Sequence, residues 1–364
     1  MKKQYIRVRK GTEDICVGLK EHELSLQPRG EVSPAKWHLG HTTWFFEKII
    51  LEKYLEHFQC FNPDYDFVFN SYYKQLGKHL NQQDRGEISI ESTEVLKYRK
   101  YVDQNMLALL ESENSKEIID LVTIGLNHEE QHQELLHMDI KAALFFENKH
   151  YQLDLAPIKN EDSQWFEVSE GLISCGNQSN EFSYDNERPR HQRYQNNAFI
   201  SKKLVTKSEY REFINSGAYS NPLLWLSKGW EWLCENKITA PLYWDDNKND
   251  LLPVSHISYF EADAFANYMG CRLPTEFEHE IMDQDCKQSS SLWSWTSSSY
   301  GAYPGFVKFD GALSEYNGKF MCNQYILRGG CVATPRGHWR PTYRNFYEPH
   351  QRWMFSGIRL AKDK

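Results

Sequence analysis

The sequence predicts two domains of different class, a bundle of helices followed by an α+β domain. Three observations carry that expectation. The chain has 364 residues, long for one core and suited to two. Up to about residue 150, apolar residues recur at helical spacing and mark one face of each helix. From about Leu153 the segments shorten, and glycines and aromatic residues punctuate them.

A first helix is expected near residues 11–25. A second opens at Ser33-Pro34, where Ser can cap and Pro suits the first turn. It carries Trp37, His41, Phe45 and Ile49 on one face. A third runs from Ser92 or Thr93 to Ser112, with the stripe Val95, Tyr98, Val102, Met106 and Leu109. A fourth runs from about Lys116 to Glu147, with Ile118, Leu121, Gly125, His128, His132 and Leu135. Four helices with one apolar face each predict a four-helix bundle. The stretch Ala156–Ser163 reads as a linker. Beyond it, Gly171–Gly176, Trp293–Thr296 and Leu327–Gly330 are short punctuated segments, with helical pieces near Thr206–Ser216 and Ser258–Met269.

Hydrophobic content of 40% and aromatic content of 14% mark a folded protein, and 11 Trp with 21 Tyr suggest aromatic-lined pockets. Net charge is −8 with both signs scattered, which argues against a nucleic-acid or anionic-membrane partner. No apolar stretch follows the basic Met1–Arg9, and no run of about 18 apolar residues exists, so neither a secretory signal nor a membrane span is expected. Eight cysteines without C-x-x-C spacing read as reduced thiols of a cytoplasmic protein.

The most informative segment is Asn127-His128-Glu129-Glu130-Gln131-His132. Residues four apart share a helix face, so His128 and His132 form a pair of potential metal ligands. His41, on another helix's core stripe, can supply the third. One buried histidine is commonly a hydrogen-bonded core residue; three on converging stripes point to a metal. Three imidazoles without a thiolate suit Zn, Fe or Cu. The string His128–His132 also satisfies H-E-x-x-H, the zinc-peptidase pattern with Glu129 as general base. Leu135 and Met138 occupy the positions where the metzincin extension needs Gly and His.

Tyr72 and Tyr73 are candidate proton donors, since a phenol stays protonated at neutral pH. Arg85 can pair with a substrate carboxylate; its plain alternative is a surface salt bridge. Asn345, Phe346 and Tyr347 can line a pocket, where aromatic faces suit a quaternary ammonium group.

Together these segments are similar to the iron-dependent sulfoxide synthases of ergothioneine biosynthesis, the EgtB type. The resemblance is carried by Ser33–Phe46 (SPAKWHLGHTTWFF), Asn70–Tyr73 (NSYY), Asn127–Leu135 (NHEEQHQEL), Asp185–Arg190 (DNERPR), Arg272–Glu276 (RLPTE), Tyr316–Gln324 (YNGKFMCNQ) and Tyr343–Phe346 (YRNF). It implies a DinB-like helical bundle over residues 1–155 and a formylglycine-generating-enzyme-like domain of C-type lectin kind over 164–364. It implies Fe(II) on His41, His128 and His132. The implied reaction joins C2 of the hercynine imidazole to a thiol sulfur, with O₂ as oxidant. Tyr72 or Tyr73 would donate the proton or hydrogen atom, and Arg85 would hold the thiol substrate. Asn345, with Gln131, would sit near the trimethylammonium–carboxylate end of hercynine.

Some members carry a second arginine three residues before the position of Arg85, where this chain has Gln82, so the thiol stays open between cysteine and γ-glutamylcysteine. The family's usual tryptophan in R-L-P-T-E-x-E-W-E is His279 here. Cys322 and Cys331 read as buried thiols rather than the cysteine pair of formylglycine-generating enzymes. Two other functions are carried forward: an ovothiol-type 5-histidylcysteine sulfoxide synthase, for which Glu348 could meet a free amine, and a metal-dependent thiol S-transferase.

Overall fold

A computed structural model describes residues 1–112, 115–151, 153–158, 165–246, 249–287, 289–309 and 317–364. Most of the expected linker, and Tyr316 of the carrying segments, lie outside the described residues. The chain divides into two units. The first holds Met1–Gln152 and Ala333–His338; the second holds Leu153–Asp310, Tyr316–Val332 and Trp339–Lys364.

The first unit is helical: α1 (Lys2–Ile15), α2 (Glu21–Ser25), α3 (Ala35–Phe46), α4 (Glu52–Tyr54), α5 (Tyr65–Phe69), α6 (Ser92–Ser112) and α7 (Lys116–Phe146). Helix α1 packs on α7, α7 on α3, and α3 on α6. The single helix expected over 11–25 is instead two. Gly18 takes a left-handed backbone (φ +89°) between them, which a residue without Cβ does at little cost. Helix α1 begins earlier than expected because two of its four buried positions are polar: Tyr5, Val8, Arg9 and Thr12.

Helix α3 buries Trp37, His41 and Phe45 as the stripe requires, but Ile49 is only half-buried. A π-helical turn over Glu47–Leu51 adds a residue to the register, and Ile50 takes the buried place. Ser115 caps α7, accepting from the Ile118 N–H. Two glycines allow close packing around α3. A Cβ on Gly125 would lie 2.6 Å from the Phe46 ring, and one on Gly40 would lie 2.1 Å from Phe69.

The segment Ala333–His338 comes from far down the sequence yet belongs to this unit. Thr334 Oγ1 donates to Glu134 Oε2 at 2.6 Å, and His338 Nδ1 lies 3.3 Å from Glu130 Oε2. Sequence periodicity carries no trace of this strap.

The second unit is α+β. Its strands are β1 (Trp165–Val168), β2 (Gly171–Cys175), β3 (His191–Gln195), β4 (Ala198–Ser201), β5 (Trp293–Ser299), β6 (Tyr325–Arg328), β7 (Asn345–Tyr347), β8 (Ser356–Gly357) and β9 (Ala361–Asp363). They form a sheet ordered β1-β4-β9, a β2-β3 pair and a sheet ordered β7-β6-β5-β8. In the last, β5 and β8 are parallel while the other pairs are antiparallel, so the sheet is mixed.

Two of its helices, α8 (Lys207–Asn215) and α10 (Tyr259–Tyr268), were expected; α9 (Ser227–Asn236) and α11 (Glu276–Cys286) were not. Helix α11 starts inside the R-L-P-T-E string. Thr275 caps it and Glu278 completes the capping box. Its Glu276 and Glu280 form a buried ion cluster with Arg328 and Arg344. All eight cysteines are free, but Cys322 is exposed rather than buried as expected. Among the described residues, no helix is long and apolar enough to cross a membrane.

The approach of Phe69 to Gly40 yields a test. Gly40→Ala forces the Phe69 ring or α3 to shift and is expected to cost about 1–3 kcal/mol. A urea titration should show a lower midpoint at unchanged slope; an unmoved midpoint would mean that Phe69 yields freely.

Candidate metal centre

Helix α7 brings His128 and His132 to one face, and α3 presents His41 to them. All three are buried, and one ring nitrogen of each lies within 4.8 Å of the others. His41 Nε2 and His128 Nε2 are 3.2 Å apart. Two nitrogens bound to one ion at about 2.1 Å and near a right angle would stand about 3 Å apart, so the spacing fits a shared cation.

The rings are held by their surroundings. His41 Nδ1 donates to the Phe69 carbonyl at 2.6 Å, which leaves Nε2 as the bare nitrogen. Its ring stacks on Trp37 (4.5 Å, 8°) and, more distantly, on Trp44 (6.0 Å). The approach of Phe69 that Gly40 permits therefore also places the carbonyl that orients His41. His132 Nδ1 lies 2.9 Å from His38 Nδ1, and His38 Nε2 lies 2.9 Å from Asp139 Oδ2. Sequence reasoning missed both residues. The usable signals were that His38 precedes His41 by three on one helix, and that Asp139 follows His132 by seven on another.

Burial keeps the three imidazoles neutral. It pushes His128 down to about 3 and holds His41 and His132 well below the usual imidazole range, with the neighbouring histidines adding to the effect. A neutral imidazole is the ligating form.

Glu129, the base of the zinc-peptidase alternative, is committed elsewhere. Its carboxylate accepts from Arg9 Nη1 (2.9 Å), Thr12 Oγ1 (2.6 Å) and Arg99 Nη2. Burial alone would raise it, but the two guanidiniums hold it down at about 2. A carboxylate so engaged is unavailable as a general base, and the peptidase function falls with it.

Arg85 is buried, not on the surface. Its guanidinium lies 3.4 Å over the Trp37 ring and donates from Nη1 to Ser33 Oγ at 2.8 Å. Its Nε has no hydrogen-bond partner among the described residues. Burial pushes Arg85 down to about 9, with Asp139 and Tyr72 opposing. A cation sequestered in this way, stacked on the tryptophan that stacks on His41, is suited to an anionic group of a ligand.

Tyr73 is fully buried and packs against Trp44 (5.7 Å) and Phe45 (6.5 Å). Those rings in turn contact His41 and His128. Tyr72 is half-buried and packs on Tyr73 at 4.7 Å. Gln131 is half-buried on α7. Asn345, Phe346 and Tyr347 belong to the second unit, on β7. Asn345 Oδ1 accepts the Phe346 N–H, Phe346 stacks on Tyr300 (4.0 Å), and Tyr347 meets Trp353 edge-on (5.5 Å).

Comparison with known proteins shows what the chain is similar to. Residues 157–285 match the sulfatase-modifying factor enzyme 1-like domain. The chain is 29% identical over 241 residues to the hercynine oxygenase of Mycolicibacterium smegmatis, covering 50% of this chain and 56% of that protein. It is 30% identical over 241 residues to the hercynine oxygenase of Mycobacterium tuberculosis, with the same coverage. It is also 24% identical over 218 residues to ergothioneine biosynthesis protein 1 of Schizosaccharomyces pombe, covering 50% of this chain and 28% of that protein. The chain spans about half the length of the hercynine oxygenases it matches. The resemblance to the ergothioneine-biosynthesis family drawn from the sequence is borne out by these matches.

The depressed histidines give a pH test. An unfolded imidazole titrates near pH 6.5. Below that value the unfolded chain takes up protons that the folded core refuses until His128 titrates at about 3. Stability of the metal-free protein should therefore fall as pH drops from about 6.5 toward 3. Glu129 adds a second loss between about 4.3, its unfolded value, and 2. Melting temperature against pH checks this, and His128→Gln should flatten the upper part of the slope.

Proposed function

We propose that this chain is a non-heme Fe(II)- and O₂-dependent sulfoxide synthase of ergothioneine biosynthesis, joining the imidazole C2 of hercynine to the sulfur of cysteine. We further propose a DinB-like four-helix bundle for the first unit and a formylglycine-generating-enzyme, C-type-lectin-like fold for the second. The carrying observation is the cluster of three buried, neutral imidazoles whose nitrogens lie within 4.8 Å of one another. Relatives named hercynine oxygenase favour hercynine over free histidine, and an oxygenase over a thiol S-transferase. Eight free thiols suit a cytoplasmic setting.

His41, His128 and His132 would hold the iron. Fe(II), when bound, supplies open positions for thiolate and O₂ and a route for electrons between them. In the overall reaction one C–H and one S–H bond are lost, a C–S and an S–O bond are made, and the second oxygen leaves as water.

The chain's own residues supply the rest. Tyr73 is the better placed of the two tyrosines to deliver a proton, being buried against the rings that contact His41 and His128. Arg85 would take the carboxylate of the thiol substrate as a charge-assisted pair. Gln82, in place of a second arginine, spends its amide on the Glu31 carbonyl (2.7 Å). One guanidinium fits one carboxylate, which favours cysteine over γ-glutamylcysteine. Asn345, Phe346 and Tyr347, with Gln131, would receive the trimethylammonium–carboxylate end of hercynine.

The decisive experiment is anaerobic loading with Fe(II), then O₂ with hercynine and cysteine and detection by mass. The coupled sulfoxide is expected. O₂-independent turnover would replace the proposal with S-transfer, and coupling of free histidine with the ovothiol-type reaction. Tyr73→Phe should cut sulfoxide formation roughly 10²-fold or more and raise cysteine sulfinate; an unchanged product ratio would remove Tyr73 from the chemistry. Arg85→Ala should raise KM for cysteine about 10- to 100-fold while leaving that for hercynine little changed. Equal effects on both would refute its assignment.

A further inference from the structure

We infer that His38 and Asp139 are positioning residues that set the tautomer and ring orientation of His132, turning its Nε2 lone pair toward the metal. The inference rests on the three-histidine metal site proposed above and extends it to residues that do not touch the metal.

With His38 in its neutral form, the hydrogen bonds set the protons in order. Asp139 Oδ2 accepts the backbone N–H of Ser33 at 2.9 Å and lies 2.9 Å from His38 Nε2. An oxygen acting as acceptor there calls for a donor on the imidazole, so His38 carries its proton on Nε2. A neutral imidazole has one N–H and one bare nitrogen, so His38 Nδ1 is an acceptor. That atom lies 2.9 Å from His132 Nδ1. His132 must then carry its proton on Nδ1, and Nε2 is left bare. The opposite polarity, with His38 donating from both nitrogens, would put the proton on His132 Nε2 and close that atom to a metal.

All three side chains are buried, so water does not compete for the relay. His41 reaches the same end by a shorter route, through the Phe69 carbonyl. Two ligands are thus pre-set from outside their own first contacts, one by a carbonyl and one by an imidazole–carboxylate pair. Outer partners of this kind usually govern metal affinity.

The test compares Asp139→Asn, His38→Leu and His38→Gln. An asparagine can still turn its oxygen to the Ser33 N–H and His38 Nε2, but it lacks the charge that holds the proton on His38 Nε2 and raises the basicity of the relay. Leucine removes the relay. Glutamine can reproduce it, with Oε1 accepting from His132 and Nε2 donating to Asp139. Fe(II) affinity is read anaerobically by competition with a chromophoric chelator, and melting of the metal-free proteins checks the fold.

Asp139→Asn and His38→Leu are expected to weaken Fe(II) binding about 10- to 100-fold, with His38→Gln staying within about threefold of native. A role in packing alone would not separate glutamine from leucine by metal affinity. If His38→Leu does not fold, the contrast between Asp139→Asn and His38→Gln carries the test. Native-like affinity in Asp139→Asn, or a glutamine variant as weak as the asparagine one, would overturn the relay. Failure of the native protein to bind Fe(II) at all would overturn the metal site instead.

Discussion

The first unit is organised around one buried carboxylate. Glu129 draws Arg9 and Thr12 from α1 and Arg99 from α6 onto α7. Arg9 also reaches Thr43 of α3 at 2.9 Å and Asp103 of α6 at 2.6 Å. Four helices therefore meet at one set of charge-assisted bonds. Taking such charges from water is costly unless every donor and acceptor is matched, and here the carboxylate is matched by three donors. The consequence is geometric. With Glu129 clamped, the rotation of α7 about its axis is set, and the next face along carries His128 and His132 toward α3.

The electrostatics of the site follow from that packing. Burial removes the water that would stabilise imidazolium, so the histidines stay neutral. The same burial strips Arg85 of solvent without giving it an ionic partner in hydrogen-bond reach among the described residues. Neutral imidazoles beside a poorly compensated cation favour added negative charge, such as a thiolate or carboxylate. Trp37 links the two halves of this environment, stacked on His41 and lying under Arg85.

Much of this was legible in the residues. The spacing of His128 and His132, and the placement of His41 on a core stripe, led to the cluster because helical periodicity converts directly into a shared face. What stayed hidden has a common physical cause. Polar side chains buried through mutual pairing look like solvent-facing residues in a sequence. So α1, which buries Arg9 and Thr12, was misplaced; Glu129 read as a potential base; and His38 with Asp139 went unnoticed. Arg85 could equally have been a surface residue until its burial was seen. In the second unit, α11 hid behind Glu276 and Glu280, charged residues that turn out to pair with Arg328 and Arg344. The π-helical turn that replaces Ile49 by Ile50 leaves no mark in a stripe built on constant period.

The strap Ala333–His338 has a bearing on how the chain is made. Glu130 and Glu134 lie in the same helix as the candidate ligands, yet partners for both arrive some two hundred positions later. During synthesis the helices of the first unit emerge first and must wait, with those two carboxylates lacking Thr334 and His338, until residue 338 has left the ribosome. A gene cut after residue 152 would encode helices that never receive that closing stitch.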